Sequence, residues 1–386
     1  MARFIYLDNA ATTRVHGEVA LAMQGALLET FGNPSSPHTL GLEAERLVRQ
    51  AREALAKAIG CHGDEICFTS GGTEADNLAI RGALEAKIRK GRHVVASAVE
   101  HAAILETLKH LAEQGLCEYT LVAPDHRGRV SPEAVVRAVR ADTVLVTVML
   151  VNNEIGAVQP VAELVRRVKE QNPGMYCHTD AVQALGKVPF RVDELGVDLL
   201  TASAHKLGGP KGVGGLYCRE GVRLISQMTG GGQEANLRSG TENVPGIVGF
   251  GLAVALAMDK MAAHIDTWRQ LQERLLQRLQ AIPDAHIHGD PIANAPHIIN
   301  VGFAGVRGEV LVHALAAEGL YVSTGAACSS RKQISSHVLQ AMQVPQAVAE
   351  GSIRLSLGSD TTMEEVETAT ELIDQTVAEL RLFQRN

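Results

Sequence analysis

From about residue 60 onward the chain alternates short, β-branched apolar runs with amphipathic stretches, and this alternation restricts its fold more than any other feature. The runs are EICFTS, HVVASA, EYTLVA, TVLVTVML, MYCHTD and DLLTASA, and the amphipathic stretches fall at about 74–90, 102–114, 132–140 and 161–171. Strands covered on both faces read as continuous apolar runs, and strands that alternate with helices build parallel sheets. The expected architecture is α/β, a large domain with a mainly parallel sheet flanked by helices. GVGGLYCR at 212–219 reads as one more strand, a candidate for an antiparallel position. The Ala/Leu-rich run 244–282 has no proline after Pro245 and reads as one long helix or two helices bridging to a second region. Pro283 and HGDPIANAPH at 288–297 mark a break. After it come a strand (IINVGF), a helix at about 308–318, a small polar loop at 323–336, a strand (SIRLSL) and a closing helix at 362–384, together a smaller α+β C-terminal domain.

Composition excludes several function classes. The net charge of −7 is spread along the chain, which suits neither a nucleic-acid surface nor a polybasic membrane anchor. The longest apolar stretch, Ile247 to Met258, contains two glycines and is short of a membrane span. The opening MARFIYLDNAATT has too short an apolar run for a secretory signal, and the six cysteines form no CxxC pair. A reducing cytoplasm is the expected location.

In open α/β sheets ligands gather at the carboxyl ends of the strands. Here those ends carry Ser70-Gly71-Gly72-Thr73, Glu100-His101, Asn152-Asn153-Glu154, Asp180 with Gln183, and Ser203, His205 and Lys206. Gly72 and Thr73 open a helix after a strand, a place where free N–H groups favour a phosphate; an ordinary helix cap is the plainer alternative. Asp180 is either a helix cap or a carboxylate that holds a pyridinium N–H so that a ring can act as an electron sink, with Gln183 in reach of the same ring's phenolic oxygen. Lys206 ends an apolar run, a setting that favours a neutral amine able to form an imine; Lys211, in a glycine turn, is second choice. His101 starts a helix, where it is either structural or a ring that stacks on a flat cofactor and moves protons.

Taken in order, SGGTEADN, EH, NNEIG, TDAVQA, SAHK-x-GGPKG, RSGTEN, STGAACSS and SIRLSLG resemble the cysteine desulfurases of the NifS/IscS type, within the class V aminotransferase branch of the fold-type I enzymes dependent on pyridoxal 5'-phosphate. The resemblance runs from YLDNAATT to the last helix. It implies residues 1–18 as an N-terminal segment packing with the small domain, 19–260 as the large cofactor-binding domain, and 261–386 as the small domain. It implies that Lys206 carries the cofactor as a Schiff base and moves the substrate's Cα proton, that Asp180 pairs with the pyridine nitrogen and Gln183 with the phenolic oxygen, and that His101 stacks on the ring. Thr73, Ser203 and His205 would hold the phosphate, joined by Thr241 from a neighbouring subunit of a homodimer. Arg354 and Asn153 would hold the carboxylate of L-cysteine, the Arg354 fork being suited to that task. No metal is implied.

Cys328 lies in the small, polar segment STGAACSSRKQISS, with Arg331 and Lys332 nearby to favour a thiolate. By composition it is equally a bystander; by resemblance it is the nucleophile that takes sulfur from L-cysteine as a persulfide, leaving alanine. Cys67, Cys177 and Cys218 lie in apolar strands, Cys117 begins one, and Cys61 sits in a GCHG turn expected to be exposed. A carrier such as an iron–sulfur scaffold or a thiolation enzyme would receive the sulfur, and the length of the Cys328 loop resembles the branch that delivers to scaffold proteins directly. Two departures stand out. Ser359 and Asp360 replace the arginine and aromatic residue usual after SLG, and GAACSS replaces GSACTS. Competing readings are a selenocysteine lyase or an aminotransferase of the same fold, and a non-catalytic partner in cluster assembly, against which the Lys206–Asp180–His101 set speaks.

Overall fold

The computed structural model describes residues 4–325 and 336–384. In chain order its strands are β1 (Ile5–Tyr6), β2 (Ile66–Thr69), β3 (His93–Ser97), β4 (Glu118–Val122), β5 (Thr143–Thr147) and β6 (Tyr176–Asp180). They continue with β7 (Leu199–Ser203), β8 (Gly214–Cys218), β9 (Ala285–His288), β10 (Ile298–Phe303), β11 (Leu320–Tyr321) and β12 (Ser352–Ser356). Seven of them form one sheet in the order β2-β8-β7-β6-β5-β3-β4. Only β8 runs against the others, pairing antiparallel with both β2 and β7. Each apolar run read from the sequence supplies a strand of this sheet.

The continuous apolar character of these strands follows from burial on both faces. Side chains alternate between faces along a strand. Accordingly Val95, Val146 and Leu200 join one core cluster, while their neighbours Val94, Leu145 and Leu199 join another across the sheet. The first cluster also takes in two helices not anticipated from the sequence, Gly17–Leu28 and Thr39–Ile59.

A third cluster lies between the antiparallel sheet β12-β10-β9 and the helices Gly308–Ala317 and Met363–Gln384. Ile5 and Leu7 belong to it, and β1 pairs in parallel with β11, so the start of the chain is stitched into its last third. Strand β9 falls where Pro283 suggested only a break; its sequence AHIH has one β-branched residue and no clear strand signature.

Val244–Gln280 is a single helix of 37 residues. Pro245 sits in its first turn, where the missing N–H costs nothing, and the side chain of Asn243 caps it by accepting from the Gly246 N–H. It is long and apolar enough to cross a membrane. Its apolar residues, however, serve two clusters: Ile247, Phe250 and Val254 pack beneath the large sheet, and Trp268, Leu271, Leu275 and Leu279 pack with the C-terminal strands.

Candidate active site

Strand ends deliver the polar groups. β7 ends at Ser203 and leads into a short 3-10 turn, Ala204–Lys206. The Lys206 ammonium donates to the backbone carbonyls of Ala10 and Ala11, at 2.6 and 2.8 Å. Gln183 Nε2 donates to the same Ala10 carbonyl at 2.9 Å, so Lys206 and Gln183 share an acceptor. β6 ends at Asp180, a buried residue whose Oδ1 accepts from the Val182 N–H at 2.8 Å. That bond is of the capping kind anticipated as the plainer reading of Asp180.

The electrostatics of Asp180 are those of a buried acid waiting for positive charge. Burial raises its pKa, while His101 and Lys206 pull it back down. Burial likewise lowers His101, with Asp180 opposing and Lys206 and His337 adding to the depression. His101 Nδ1 accepts from the Ala103 N–H at 3.1 Å as it caps the helix Ala102–Glu113, which puts the ring proton of the neutral imidazole on Nε2. His205 is held down to about 4 by burial and by Lys206, Lys211 and Lys187, and its Nδ1 meets Thr12 Oγ1 at 3.2 Å.

The helix Gly72–Ala86 begins without a side-chain cap, leaving its first N–H groups for an outside acceptor. A Cβ on Gly72 would stand 3.0 Å from Val182 Cγ2 and 3.7 Å from Ser203 Cβ, so this helix start, Ser203 and the turn after Asp180 abut one another. Thr73 is exposed at the same end. These residues fit pyridoxal phosphate on three counts: an uncapped helix start beside a serine, a buried acid at a strand end, and a Gln183 Oε1 that is buried with no partner among the described residues.

Arg354 lies on β12, 3% exposed. Its guanidinium donates to Asp8 Oδ1 at 2.8 Å and to the Asn153 backbone carbonyl at 2.9 Å, while Nε has no partner among the described residues. Asn153 thus meets Arg354 through its main chain. Thr241 is exposed on the connection leading to the helix Val244–Gln280, three residues after Arg238, which is paired to Glu74 at 2.8 Å. Cys328 lies outside the described residues.

Several participants carried no local signal. Asp8, Ala10, Ala11 and Thr12 reach the site from the other end of the chain. Asp76 is buried behind Asp180, its Oδ1 3.7 Å from His178 Nε2, and burial and Asp180 raise it strongly. Glu100, read only as a neighbour of His101, is buried and accepts from Ser97 Oγ and, at 2.8 Å, from the Met149 N–H. The remaining thiols are quiet. Burial pushes Cys61, Cys177 and Cys218 up to about 12, and it raises Cys67 and Cys117 as well. Cys61, expected to be exposed, is only partly so.

Fold and site together define a class, and comparison with known proteins agrees with it. The family described as aminotransferase class-V matches residues 5–368, and this chain belongs to that family. Within it, the chain is 46% identical over 382 residues to the cysteine desulfurase IscS of Dictyoglomus turgidum, covering 99% of this chain and 96% of the relative. It is 45% identical to the cysteine desulfurase IscS of Methanosarcina thermophila, covering 98% and 93%. A solved structure described as a NifS-like protein superposes with a TM-score of 0.92 at 39% identity, covering 98% of this chain and all of that one. The recognised family, the fold class and the dependence on pyridoxal phosphate that the motifs implied all stand.

Proposed function

We infer that this chain is a cysteine desulfurase that releases sulfur from L-cysteine with the help of pyridoxal phosphate. The observation that carries the reading is the meeting of Lys206 and Gln183 on one backbone carbonyl at the carboxyl edge of the sheet that also bears Asp180. The names of the relatives favour cysteine desulfuration over the selenocysteine and transamination alternatives.

When bound, the cofactor supplies an aldehyde carbon for condensation with an amine and a ring that accepts an electron pair. Lys206 is the amine that holds it and the base that takes the proton from the substrate's Cα. Asp180 would hold a positive charge on the ring nitrogen; burial opposes its carboxylate form, and His101 and Lys206 favour it. Gln183 would serve the phenolic oxygen, and His101 would stack on the ring and assist proton movement with its Nε2–H. Gly72, Thr73, Ser203 and His205 hold the phosphate, and Arg354, braced by Asp8, orients the substrate carboxylate with Asn153.

Cys328 accepts the sulfur. Its thiolate forms an S–S bond to the substrate Sγ as the Cβ–S bond breaks, and the released pair at Cβ takes up a proton. L-cysteine and a protein thiol become L-alanine and a persulfide, so no outside oxidant is needed. Support comes from the five other cysteines, whose thiols burial keeps protonated and unreactive. A thiol-bearing carrier, an iron–sulfur scaffold or a thiolation enzyme, would then remove the sulfur.

The functional unit is a homodimer in which Thr241 reaches the partner's phosphate site. An exposed apolar face supports this: Leu21, Leu27 and Leu28, with Phe31 and Leu42 beyond, all stand more than half exposed on the first two helices and their connection.

Incubation with L-cysteine tests the reading. Alanine should appear, and the peptide containing Cys328 should gain the mass of one sulfur atom. Cys328→Ser should retain the visible absorbance of the bound cofactor and lose alanine formation. Continued desulfuration by that variant overturns the role of Cys328.

A further inference from the structure

The motif NNE after β5 contributes one group that the reaction above leaves without a task, Glu154. Its side chain is 3% exposed. A carboxyl so placed is costly unless it is well hydrogen-bonded. Its bonds lead to the small domain. Ser336 Oγ donates to Glu154 Oε2 at 2.5 Å and itself accepts from the Leu339 N–H at 3.1 Å, capping the helix His337–Ala341. His337 Nδ1 stands 4.0 Å from Glu154 Oε1, while its Nε2–H donates to the Glu100 carbonyl at 3.0 Å. On the other side, a Cβ on Gly325 would lie 3.3 Å from Oε2, and Gly325 takes a φ of +83°, which lets its backbone press against the carboxyl. Two residues earlier, Ser323 is paired through its backbone to Arg354. The Glu154 main chain is fixed in turn, its N–H by Asn152 Oδ1 at 2.9 Å and its carbonyl by Asn300 Nδ2 at 3.1 Å.

Gly325 and Ser336 flank the stretch of sequence that contains Cys328. One buried carboxyl, supplied by the loop after β5, therefore bonds the chain on one side of the thiol and lies close to it on the other, and His337 is close enough to His101 to perturb it. We propose that Glu154 is a positioning residue for sulfur transfer: by holding Ser336 through a hydrogen bond and lying beside Gly325, it sets where Cys328 is delivered, while taking no part in the chemistry at Cα. The proposal rests on the reading that Cys328 takes the sulfur.

The two halves of the reaction have separate readouts. Exchange of the Cα proton of L-alanine for deuterium, followed by NMR on the holoenzyme, reports Lys206 and needs no thiol. Persulfide on the Cys328 peptide after a brief pulse of L-cysteine, followed by mass spectrometry, reports transfer. Glu154→Ala should slow persulfide formation on the order of 100-fold, the cost of a thiol about 1 Å out of place. Its alanine exchange should stay within about threefold of wild type. Glu154→Gln, whose amide oxygen still accepts from Ser336, should restore transfer to within about fivefold. Ser336→Ala removes the other partner and should repeat the Glu154→Ala pattern, which preserves the test if that variant does not fold. Transfer at wild-type rate in both alanine variants, or exchange falling in step with transfer, overturns the proposal. Absence of any persulfide on Cys328 in the wild-type protein overturns the functional reading instead.

Discussion

Three acids crowd the interior behind the ring site: Asp76, Glu100 and Asp180, all nine-tenths buried or more. They cannot all ionise cheaply, because each buried charge opposes the next. Asp180 has His101 and Lys206 to favour its charge. Glu100 has only neutral donors, and burial pushes it up to about 8, with Asp180 adding to the rise against the hydrogen bonds from Ser97 and Met149. Its native carboxyl keeps a proton that the unfolded chain releases near 4.5. The native state is thus favoured fully below that value and loses the advantage as pH rises through about 8. Glu100→Gln carries no titrating group, so wild type should weaken relative to this variant across that window. The loss should reach up to roughly 1.4 kcal/mol for each pH unit, as read from urea unfolding at several pH values. A constant difference between the two proteins would show that Glu100 is ionised in the native state. At this scale Lys206, Asp180 and His101 were legible because each sits at the end of an apolar run. Asp76 and Glu100 were not legible as buried acids, since a helix position and a strand-end loop give no sign of how deeply their carboxyls lie.

Among the elements, the helix Val244–Gln280 shows what close packing demands. A Cβ on Gly251 would fall 2.5 Å from Ala51 Cα, on the backbone of Thr39–Ile59, so the two helices cross where only glycine fits. Gly251→Ala should force them apart and cost about 1–3 kcal/mol of stability. Gly25, inside the helix Gly17–Leu28, has no atom within 4 Å of the same construction. Gly25→Ala should instead stabilise by about 0.5–1 kcal/mol. Thermal unfolding of the two variants beside wild type checks both signs at once. The seven strands of the main sheet were legible because burial on both faces writes itself into the sequence as unbroken apolar runs. β1 and β11 were not, being two residues long and paired with each other from opposite ends of the chain, and β9 was not because its four residues hold a single β-branched side chain. Nor was it clear from periodicity whether 244–282 held one helix or two; its packing against both regions fixes a single continuous element.

For the molecule as a whole, the exposed leucine face and the exposed Thr241 point to one consequence of the proposed dimer. The pair Leu21→Glu and Leu28→Glu would place charges on that face and should convert two-chain particles to single chains in sedimentation velocity. The resulting monomer should hold pyridoxal phosphate more weakly, having lost Thr241 of its neighbour. An unchanged sedimentation coefficient would place the interface elsewhere. The amino-acid sequence alone determined the α/β class, the order of the main-sheet strands along the chain, and the chemical inventory at their carboxyl ends, because these depend on neighbours a few residues apart. Tertiary structure alone decided which carbonyls receive Lys206, what braces Arg354, and what Glu154 touches. Those bonds join residues 195 or 196, 346 and 182 positions apart, and no local pattern of residues encodes so distant a partner.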